Sequence, residues 1–202
     1  MTKPASLCSA EHLAKTAHFA EWAPAALKGF QALAGGAFGA HVLRCPYCID
    51  YHHGLATGAG ASREELTEAL WVAIAMAAQA PLAHAAIALR LLDGEAGGDF
   101  YPAQQAGPEQ ALKAATPAAL GGYEALQSAA FAPGALDATQ KALAAVACAH
   151  NLRCAFSIER TVPAALAAGA SKPMVAEAIF VAIEMAAGAC LGHAGLAAAL
   201  MA

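Results

Sequence analysis

The chain has 202 residues, of which 59% are hydrophobic and only 13% are charged, and its net charge is −4. It contains no run of lysine and arginine, so the composition argues against nucleic acid or an anionic membrane as a partner. Alanine dominates the sequence. Because alanine is the best helix former, we expect an all-α protein.

The N-terminal segment shows no apolar run long enough for a signal peptide. The most apolar stretch, residues 71–89, is interrupted by Gln79, Pro81 and His84 and consists largely of alanine, which inserts weakly into lipid. We interpret it as two buried helices and expect a cytoplasmic protein without a membrane span. In that compartment a disulfide is more often catalytic than structural, because thiols stay reduced.

The first two predicted helices lie at about residues 24–34 and 46–58. Pro46 stands at a favoured first helical position, since its missing N–H is not needed there. Gly58 and Gly60 are expected to end the second helix, because glycine is the usual residue just past a helix C-terminus.

A third helix is predicted to open with a capping box formed by Ser62 and Glu65 and to run to about residue 78. Pro81 is then expected to start a separate last helix. Residues 93–116 begin with a turn-rich, apolar-poor region, so we predict a linker there.

The sequence contains an internal repeat. The segment His41–Cys45 recurs as His150–Cys154, and the same offset of 109 relates residues 41–88 to residues 150–197 without a gap, with about half of the positions identical. We therefore predict two tandem repeats of about 90 residues, at 1–92 and 117–202, packed as one unit.

Upstream of this match the offset falls to 93, which aligns residues 24–38 with 117–131. The difference leaves a segment at about residues 132–147 that only the second copy has. It starts with Asp137 and has a helical apolar rhythm, so we expect a helix there that the first copy lacks.

The chemically informative motif is Cys45-x-x-Cys48-x-x-x-His52 at the start of the second predicted helix. Cysteines three apart on one helical turn can close a disulfide, and the helix N-terminus favours the thiolate form. His52 shares their face and can take a thiol proton, which makes Cys48 the better-placed nucleophile and Cys45 its resolving partner. His53 points away and is the weaker base candidate.

Two other interpretations of this motif stay open. The cysteines could be reduced core residues of an alanine-rich helix. Cys45, Cys48 and His52 could also bind zinc with a fourth ligand such as His41, although the usual second cysteine or histidine pair is missing.

The second copy provides an internal comparison for the motif. It keeps the first cysteine as Cys154 but has Ser157 and Thr161 in place of the second cysteine and the histidine. The second cysteine and the histidine are both absent from the second copy, as expected if they act together in catalysis. Residues that the fold requires would be retained in both copies. The comparison therefore favours redox chemistry.

The same logic assigns a structural role to residues that both copies retain. His84 and His193 are predicted to be buried, hydrogen-bonded core histidines, and Cys154 a structural cysteine. Four further residues are predicted to lie in the core: Met76, Met185, Trp71 and Phe180. Three cysteines have no partner at a functional spacing and are interpreted as small apolar residues: Cys8, Cys148 and Cys190.

The motif from Cys45 to His52, the capping box and the alanine- and methionine-rich helix after it resemble the alkylhydroperoxidase-D-like, carboxymuconolactone decarboxylase superfamily. The resemblance covers about residues 24–90 and 117–200. It implies an all-α fold, a homo-oligomer and thiol-dependent reduction of a small hydroperoxide. Cys48 would attack the peroxide, Cys45 would resolve it to a disulfide and His52 would relay the proton.

The reaction implied by the resemblance needs no metal, flavin or haem. Its reductant would be an external dithiol, such as a lipoyl-bearing protein. The sequence departs from the family at a relay glutamate, whose positions hold Leu33 and Ala142. Four carboxylates are candidates to replace it: Asp50, Glu21, Glu124 and Glu184.

Two rival functions are retained. One is a decarboxylase-type enzyme acting on a small carboxylic acid, which Arg44 or Arg153 would clamp. The other is a redox-sensing protein whose dithiol changes state without turnover.

Overall fold

The computed structural model describes residues 37–58, 60–92 and 112–201, and apart from turns and short connections these residues are helical. The all-α prediction is confirmed for them. A short helical turn at 112–115 precedes Thr116. The longer helices are α1 (Ala37–Val42), α2 (Pro46–Gly58), α3 (Arg63–Leu92), α4 (Pro117–Phe131), α5 (Ala138–Asn151), α6 (Ala155–Ala167) and α7 (Lys172–Leu200).

Three predictions fall wholly or mostly outside the described residues. They concern the helix at about 24–34, the apolar role of Cys8 and most of the linker at 93–116. The two-repeat organisation also remains a prediction.

The turns before α2 and α6 have the same form. Arg44 and Arg153 both adopt a left-handed backbone with φ of 54°. In each turn the residue after the arginine donates its N–H five residues back, to Ala40 and to Ala149, which is the Schellman ending of a helix. A non-glycine residue in this conformation costs about 1 kcal/mol. Both turns therefore set a cysteine at the start of the following helix.

The predicted helix at 46–58 has the observed bounds of α2. The capping box that opens α3 is also present. Ser62 donates its N–H to the Glu65 carboxylate at 2.7 Å, and Glu65 donates its N–H to the Ser62 hydroxyl at 3.1 Å. The predicted break at Pro81 is wrong, because Pro81 lies inside a single 30-residue helix. Packing of α3 against α1, α4, α5 and α6 offsets the helix bond that proline cannot make.

Helix α5 forms the centre of the core and contacts α1, α3, α4, α6 and α7. The segment predicted from Asp137 does form a helix, opened by a capping box in which Asp137 and Gln140 exchange hydrogen bonds. At the predicted offset of 109, α1 corresponds to residues 146–151, the last six of α5. These lie almost wholly after the segment at about 132–147 that the first copy is expected to lack, so that expectation stays a prediction.

A close approach at Gly39 brings α1 onto α5 and α7. A side chain at this glycine would meet Asn151 Nδ2 and Met185 Cγ at 3.2 Å. The absence of a side chain at Gly39 thus allows α1 to pack closely against α5 and α7.

A charged contact ties α3 to the connection before α5. The Glu68 carboxylate accepts the N–H groups of Ala135 and Leu136 and pairs with the buried Lys141 ammonium at 3.0 Å. Burial alone would raise the pKa of Glu68, but these hydrogen bonds outweigh it and lower the pKa. Gly134 leaves room for the carboxylate, which a Cβ there would overlap.

The core predictions are half right. Met76 and Met185 are fully buried, as expected. Trp71 and Phe180 are wrongly predicted, since 49% and 40% of their surfaces are exposed. They lie on the outer sides of α3 and α7, because small alanines rather than aromatic rings fill the tight contacts between the helices.

Helices α3 and α7 each contain 23 residues that are long and apolar enough to cross a membrane by length and composition, Arg63–Ala85 and Lys172–Ala194. Only 39% and 28% of their most apolar windows are buried inside the protein. The interpretation of residues 71–89 as two buried helices is therefore wrong on both counts, since the helix is continuous and only partly covered.

Candidate active site

Cys45 and Cys48 are joined by a disulfide bond, with their Cα atoms 5.2 Å apart. Cys45 precedes the first residue of α2 and its carbonyl accepts the Ile49 N–H, so it acts as the helix N-cap. The Cys48 N–H points at the Cys45 sulfur at 3.2 Å. The two sulfurs therefore lie at the positive end of α2, where a thiolate is stabilised once the bond is reduced.

His52 follows Cys48 by one helical turn. Cys48, His52 and Ala56 are the buried residues of α2, and only 3% of the His52 surface is exposed. The Tyr51 ring meets the His52 ring edge-to-face, with centroids 5.1 Å apart. The helix thus carries the dithiol and an enclosed imidazole on one face, as the motif predicts.

The structure places a second histidine beside the dithiol. His193 on α7 has its Nδ1 4.0 Å from the Cys45 sulfur, and its ring contacts Tyr47 edge-to-face at 5.3 Å. The same Nδ1 lies 2.8 Å from the Ala189 carbonyl, so this nitrogen carries the proton. His193 is exposed, and its prediction as a buried core residue is wrong because the end of α7 lies over the start of α2 at the surface.

His84 makes the corresponding contact in the other half. Its Nδ1 lies 3.7 Å from the Cys154 sulfur and 2.8 Å from the Ala80 carbonyl. His84 is half-buried, and its ring meets Phe156 edge-to-face. Each half thus provides the histidine that faces the N-cap cysteine of the other half, a crossed arrangement that the sequence did not reveal.

The start of α6 holds a hydroxyl where α2 holds the second sulfur. Cys154 is a buried free thiol that caps α6 and accepts the Ser157 hydroxyl at 3.0 Å. Thr161 donates its hydroxyl to the Ser157 carbonyl at 2.8 Å. Gln79 reaches Ser157 across the helix interface at 3.5 Å. This end therefore resembles α2 in shape but has no disulfide partner for its thiol.

Among the four candidate carboxylates, the structure distinguishes Glu184. Asp50 and Glu124 are exposed, and Glu21 lies outside the described residues. Glu184 lies on α7, which packs on α2, and its Oε2 atom is buried without a hydrogen-bond partner among the described residues. Burial raises the pKa of Glu184 to about 7. Burial, and then the Glu184 charge, raise the pKa of Tyr51.

His41 and His53 pair with each other rather than with the dithiol. Their Nε2 atoms are 3.0 Å apart, so one ring donates to the other between α1 and α2. Burial, and secondarily the charge of His53, lower the pKa of His41. The zinc interpretation needs His41 beside free cysteines, and in this structure both cysteines are in the disulfide. Within residues 37–58, 60–92 and 112–201, His, Cys, Asp and Glu form no cluster of metal-binding size.

The remaining predicted residues fall into two groups. Cys148 is buried, and burial raises the pKa of its thiol, whereas Cys190 is an exposed free cysteine. Arg44 and Arg153, the proposed carboxylate clamps, are exposed in their turns, and neither lines the described cavities near α6 and α4.

The carboxymuconolactone decarboxylase family profile matches residues 39–91 and 117–200, which is more than half of the chain. The chain therefore belongs to this family, within the alkylhydroperoxidase-D-like superfamily, and many members of the family are enzymes. The resemblance noted from the motif is thus confirmed.

A curated relative is similar over part of the chain. It is named uncharacterized protein 4 in cox locus, from Paracoccus denitrificans. The two are 47% identical over 79 residues, which is 39% of this chain and 71% of the relative. No solved structure matches the chain significantly.

Proposed function

We propose that this protein is a thiol-dependent hydroperoxide reductase that uses Cys48 as nucleophile, Cys45 as resolving thiol and His52 as proton relay. The observation that carries the proposal is the Cys45–Cys48 disulfide at the start of α2, with a buried imidazole one turn further along the same helix. The family membership is consistent with it, because the superfamily includes dithiol peroxidases.

The reaction begins with the reduced dithiol. The Cys48 thiolate attacks the terminal peroxide oxygen, so an S–O bond forms as the O–O bond breaks, and the leaving alkoxide takes a proton to become an alcohol. Cys45 then attacks the sulfenic sulfur, and the hydroxyl leaves as water with a second proton. Two electrons pass from the dithiol to the peroxide, and the disulfide seen here is the product.

His52 is the group that moves these protons. It follows Cys48 by four residues, so both side chains lie on the same face of α2. Because His52 is buried, bulk water has little access to its imidazole, which can exchange protons with the thiol instead. General acid–base assistance of this kind typically contributes a factor of about 10² to 10⁴.

Glu184 serves as the carboxyl partner of this relay, in place of the glutamate that the family carries elsewhere. It reaches the site from α7, its Oε2 is buried, and its charge acts on Tyr51 beside His52. With a pKa of about 7 it is partly protonated at neutral pH and so can both give and accept a proton.

The reductant is an external dithiol, such as a lipoyl-bearing protein, and it reaches the disulfide at His193. This histidine is exposed and lies 4.0 Å from the Cys45 sulfur, whereas Cys45 and Cys48 themselves are 1% and 5% exposed. Attack on Cys45 releases Cys48 as a thiolate, which the N-terminus of α2 stabilises as a leaving group.

The active species is a cytoplasmic homo-oligomer of a chain made of two repeats. Matched turns at Arg44 and Arg153 support the repeats. Large apolar side chains exposed on α3 and α7 support an assembly that covers them; they are Trp71, Ile74, Phe180 and Ile183.

Purified protein, supplied with an alkyl hydroperoxide and dihydrolipoamide, tests the proposal. Wild type is expected to turn over, and Cys48→Ser and Cys45→Ser to lose turnover. Without reductant, Cys45→Ser still consumes about one equivalent of peroxide, since its nucleophile remains, whereas Cys48→Ser consumes none. Cys154→Ser is the matched control and keeps activity. Equal consumption by wild type and all three variants would refute the proposal.

A further inference from the structure

The disulfide is flanked by an exposed imidazole as well as by a buried one. The Nδ1 atom of His193 is 4.0 Å from the Cys45 sulfur, and the His193 side chain is exposed to solvent. His52, by contrast, is only 3% exposed. The thiol of an external reductant therefore meets the imidazole of His193 before that of His52.

Contacts from two helices fix the orientation of the His193 ring. Its Nδ1 donates to the carbonyl of Ala189, one turn earlier on α7, at 2.8 Å. The ring of Tyr47 on α2 meets it edge-to-face, with centroids 5.3 Å apart. Because Nδ1 carries the proton, Nε2 has the lone pair of the neutral ring. Within the described part of the chain no hydrogen bond engages this Nε2, so it is a free base held beside the sulfur.

A base at this position assists the demanding step of disulfide reduction. A disulfide is attacked by a thiolate rather than a thiol, and a thiol with a pKa of about 8.5 is only a few per cent ionised at neutral pH. Cys45 is 1% exposed, so a thiol that reaches its sulfur has left most of the bulk water that accepts its proton. A neighbouring imidazole takes the place of that water.

His84 shows which part of this arrangement comes from the fold. Its Nδ1 makes the same two contacts, 3.7 Å from the Cys154 sulfur and 2.8 Å from the Ala80 carbonyl. Cys154 is a free thiol, however, and His84 is half-buried. The two halves thus share the position of the imidazole, whereas His193 combines it with a disulfide and with access to solvent.

We propose that His193 is the catalytic base of the reductive half-reaction, in which an external dithiol reduces the Cys45–Cys48 disulfide. The inference rests on the proposed function for the class of reductant. Two imidazoles then divide the proton transfers. The buried His52 serves the step with peroxide, and the exposed His193 serves the step with the reductant.

The reduction balances with His193 as the base. Its Nε2 takes the proton of the first reductant thiol, whose sulfur bonds to Cys45 as the Cys45–Cys48 bond breaks and Cys48 leaves with the electron pair. The second reductant thiol then attacks the reductant sulfur of this mixed disulfide and gives its proton to the Cys48 thiolate through solvent. Cys45 leaves with an electron pair and takes the proton that His193 holds. Two electrons and two protons have passed to the protein.

The test compares two reductants of the oxidised protein, dihydrolipoamide and tris(hydroxypropyl)phosphine. A phosphine attacks sulfur with the lone pair on phosphorus, so no S–H proton has to be removed. Rate constants at neutral pH are obtained by alkylating the new thiols and measuring the intact mass. The readout is the ratio of the dihydrolipoamide rate constant to the phosphine rate constant.

His193→Gln should lower this ratio by at least about tenfold, because glutamine has no basic nitrogen to take the proton. His193→Ala is a second variant and should lower it similarly. His84→Gln makes the same exchange beside the free thiol of Cys154, so it is the matched control and should keep the wild-type ratio.

The proposal is overturned if either His193 variant keeps the wild-type ratio, which includes the case in which both reductants slow equally because the histidine only shapes the site. A fall in His84→Gln as large as in His193→Gln also overturns it. The assay contains no peroxide, so its result and that of the hydroperoxide assay stand or fail separately.

Discussion

The starts of α2 and α6 share a scaffold and differ in their chemistry. Each follows a left-handed arginine, each is capped by a cysteine, and each cysteine faces a histidine from the opposite half. Only α2 has a second sulfur and an imidazole on its buried face, where α6 has Ser157 and Thr161.

The comparison separates residues that build the turn from residues that react. The histidines at 84 and 193 occur at both ends, so their contact with sulfur is a property of the scaffold as well as of the site. Glu184, in contrast, has no counterpart in the other half, because the corresponding position on α3 is Ala75. A carboxyl at this position therefore occurs on α7, which packs on α2, and not on α3.

The largest effect is expected when His52 is replaced by threonine, the residue at the corresponding position of α6. His52→Thr should lower the turnover of hydroperoxide by about 10² to 10⁴, because the proton relay is lost while both sulfurs remain. Steady-state kinetics with dihydrolipoamide measures this. The Val162→Ala variant on α6 is the control. A His52→Thr enzyme with unchanged kcat would remove the imidazole from the mechanism.

The reverse exchange builds a second sulfur pair. Ser157→Cys is expected to form a disulfide with Cys154 under oxidation, since the Ser157 hydroxyl already lies 3.0 Å from that sulfur. Turnover should change by less than about twofold, because Thr161 and Ala75 provide neither base nor carboxyl. Mass spectrometry of the oxidised variant and kinetics together decide it. A turnover rate at least twice that of wild type would show that a sulfur pair without a base or carboxyl is sufficient for the reaction.

Removing the Glu184 carboxyl should lower turnover less than removing the His52 imidazole does. Glu184→Gln is expected to lower kcat by about tenfold and to flatten its pH dependence near neutrality, because the relay loses a group that titrates at about 7. The pH profile is the decisive readout, since a merely structural role would leave its shape intact.

The same carboxyl gives a stability prediction with a defined sign. Its pKa is raised from 4.5 to about 7 in the folded protein, so the stability it contributes is full below pH 4.5 and is lost as the pH rises through 7. Glu184→Gln stays neutral. The variant should therefore melt above wild type when the pH is well above 7 and lose this advantage in acid. An equal difference in melting temperature at all pH values would contradict the assignment.

The smallest effect concerns the histidine pair, which the second half lacks because Val162 takes the place of His53. Burial and the neighbouring charge lower the pKa of His41, so the corresponding stability is present above pH 6.5 and lost as the pH falls below it. His53→Val should make the melting temperature less sensitive to acid in this range. An unchanged pH dependence would show that the pair is not the cause.

Local signals predicted the parts of the fold that depend on neighbouring residues. The start of α2 at Pro46, the capping box at Ser62 and the helix after Asp137 all follow from hydrogen bonds within a few residues. The predicted helix break at Pro81 was wrong because the sequence shows only the hydrogen bond that proline cannot make. The packing that keeps α3 continuous comes from four other helices, which are distant in sequence.

The sequence also indicated the dithiol and its imidazole, because spacings of three and four residues put Cys45, Cys48 and His52 on one face of a helix. It did not reveal that His193 would lie at the Cys45 sulfur, since that contact spans 148 residues and depends on how α7 crosses α2. It named Glu184 only as one of four carboxylates. The distinction came from burial, which a helical pattern of alanines does not encode.

The most direct measurement of the central claim is a single turnover of reduced protein with one equivalent of alkyl hydroperoxide, followed by thiol counting and peptide mapping. The account predicts that about two thiols vanish for each peroxide consumed and that the new bond joins Cys45 to Cys48, with Cys154 still free. Peroxide that persists while all thiols remain, or oxidation that falls on Cys154 instead, would contradict it.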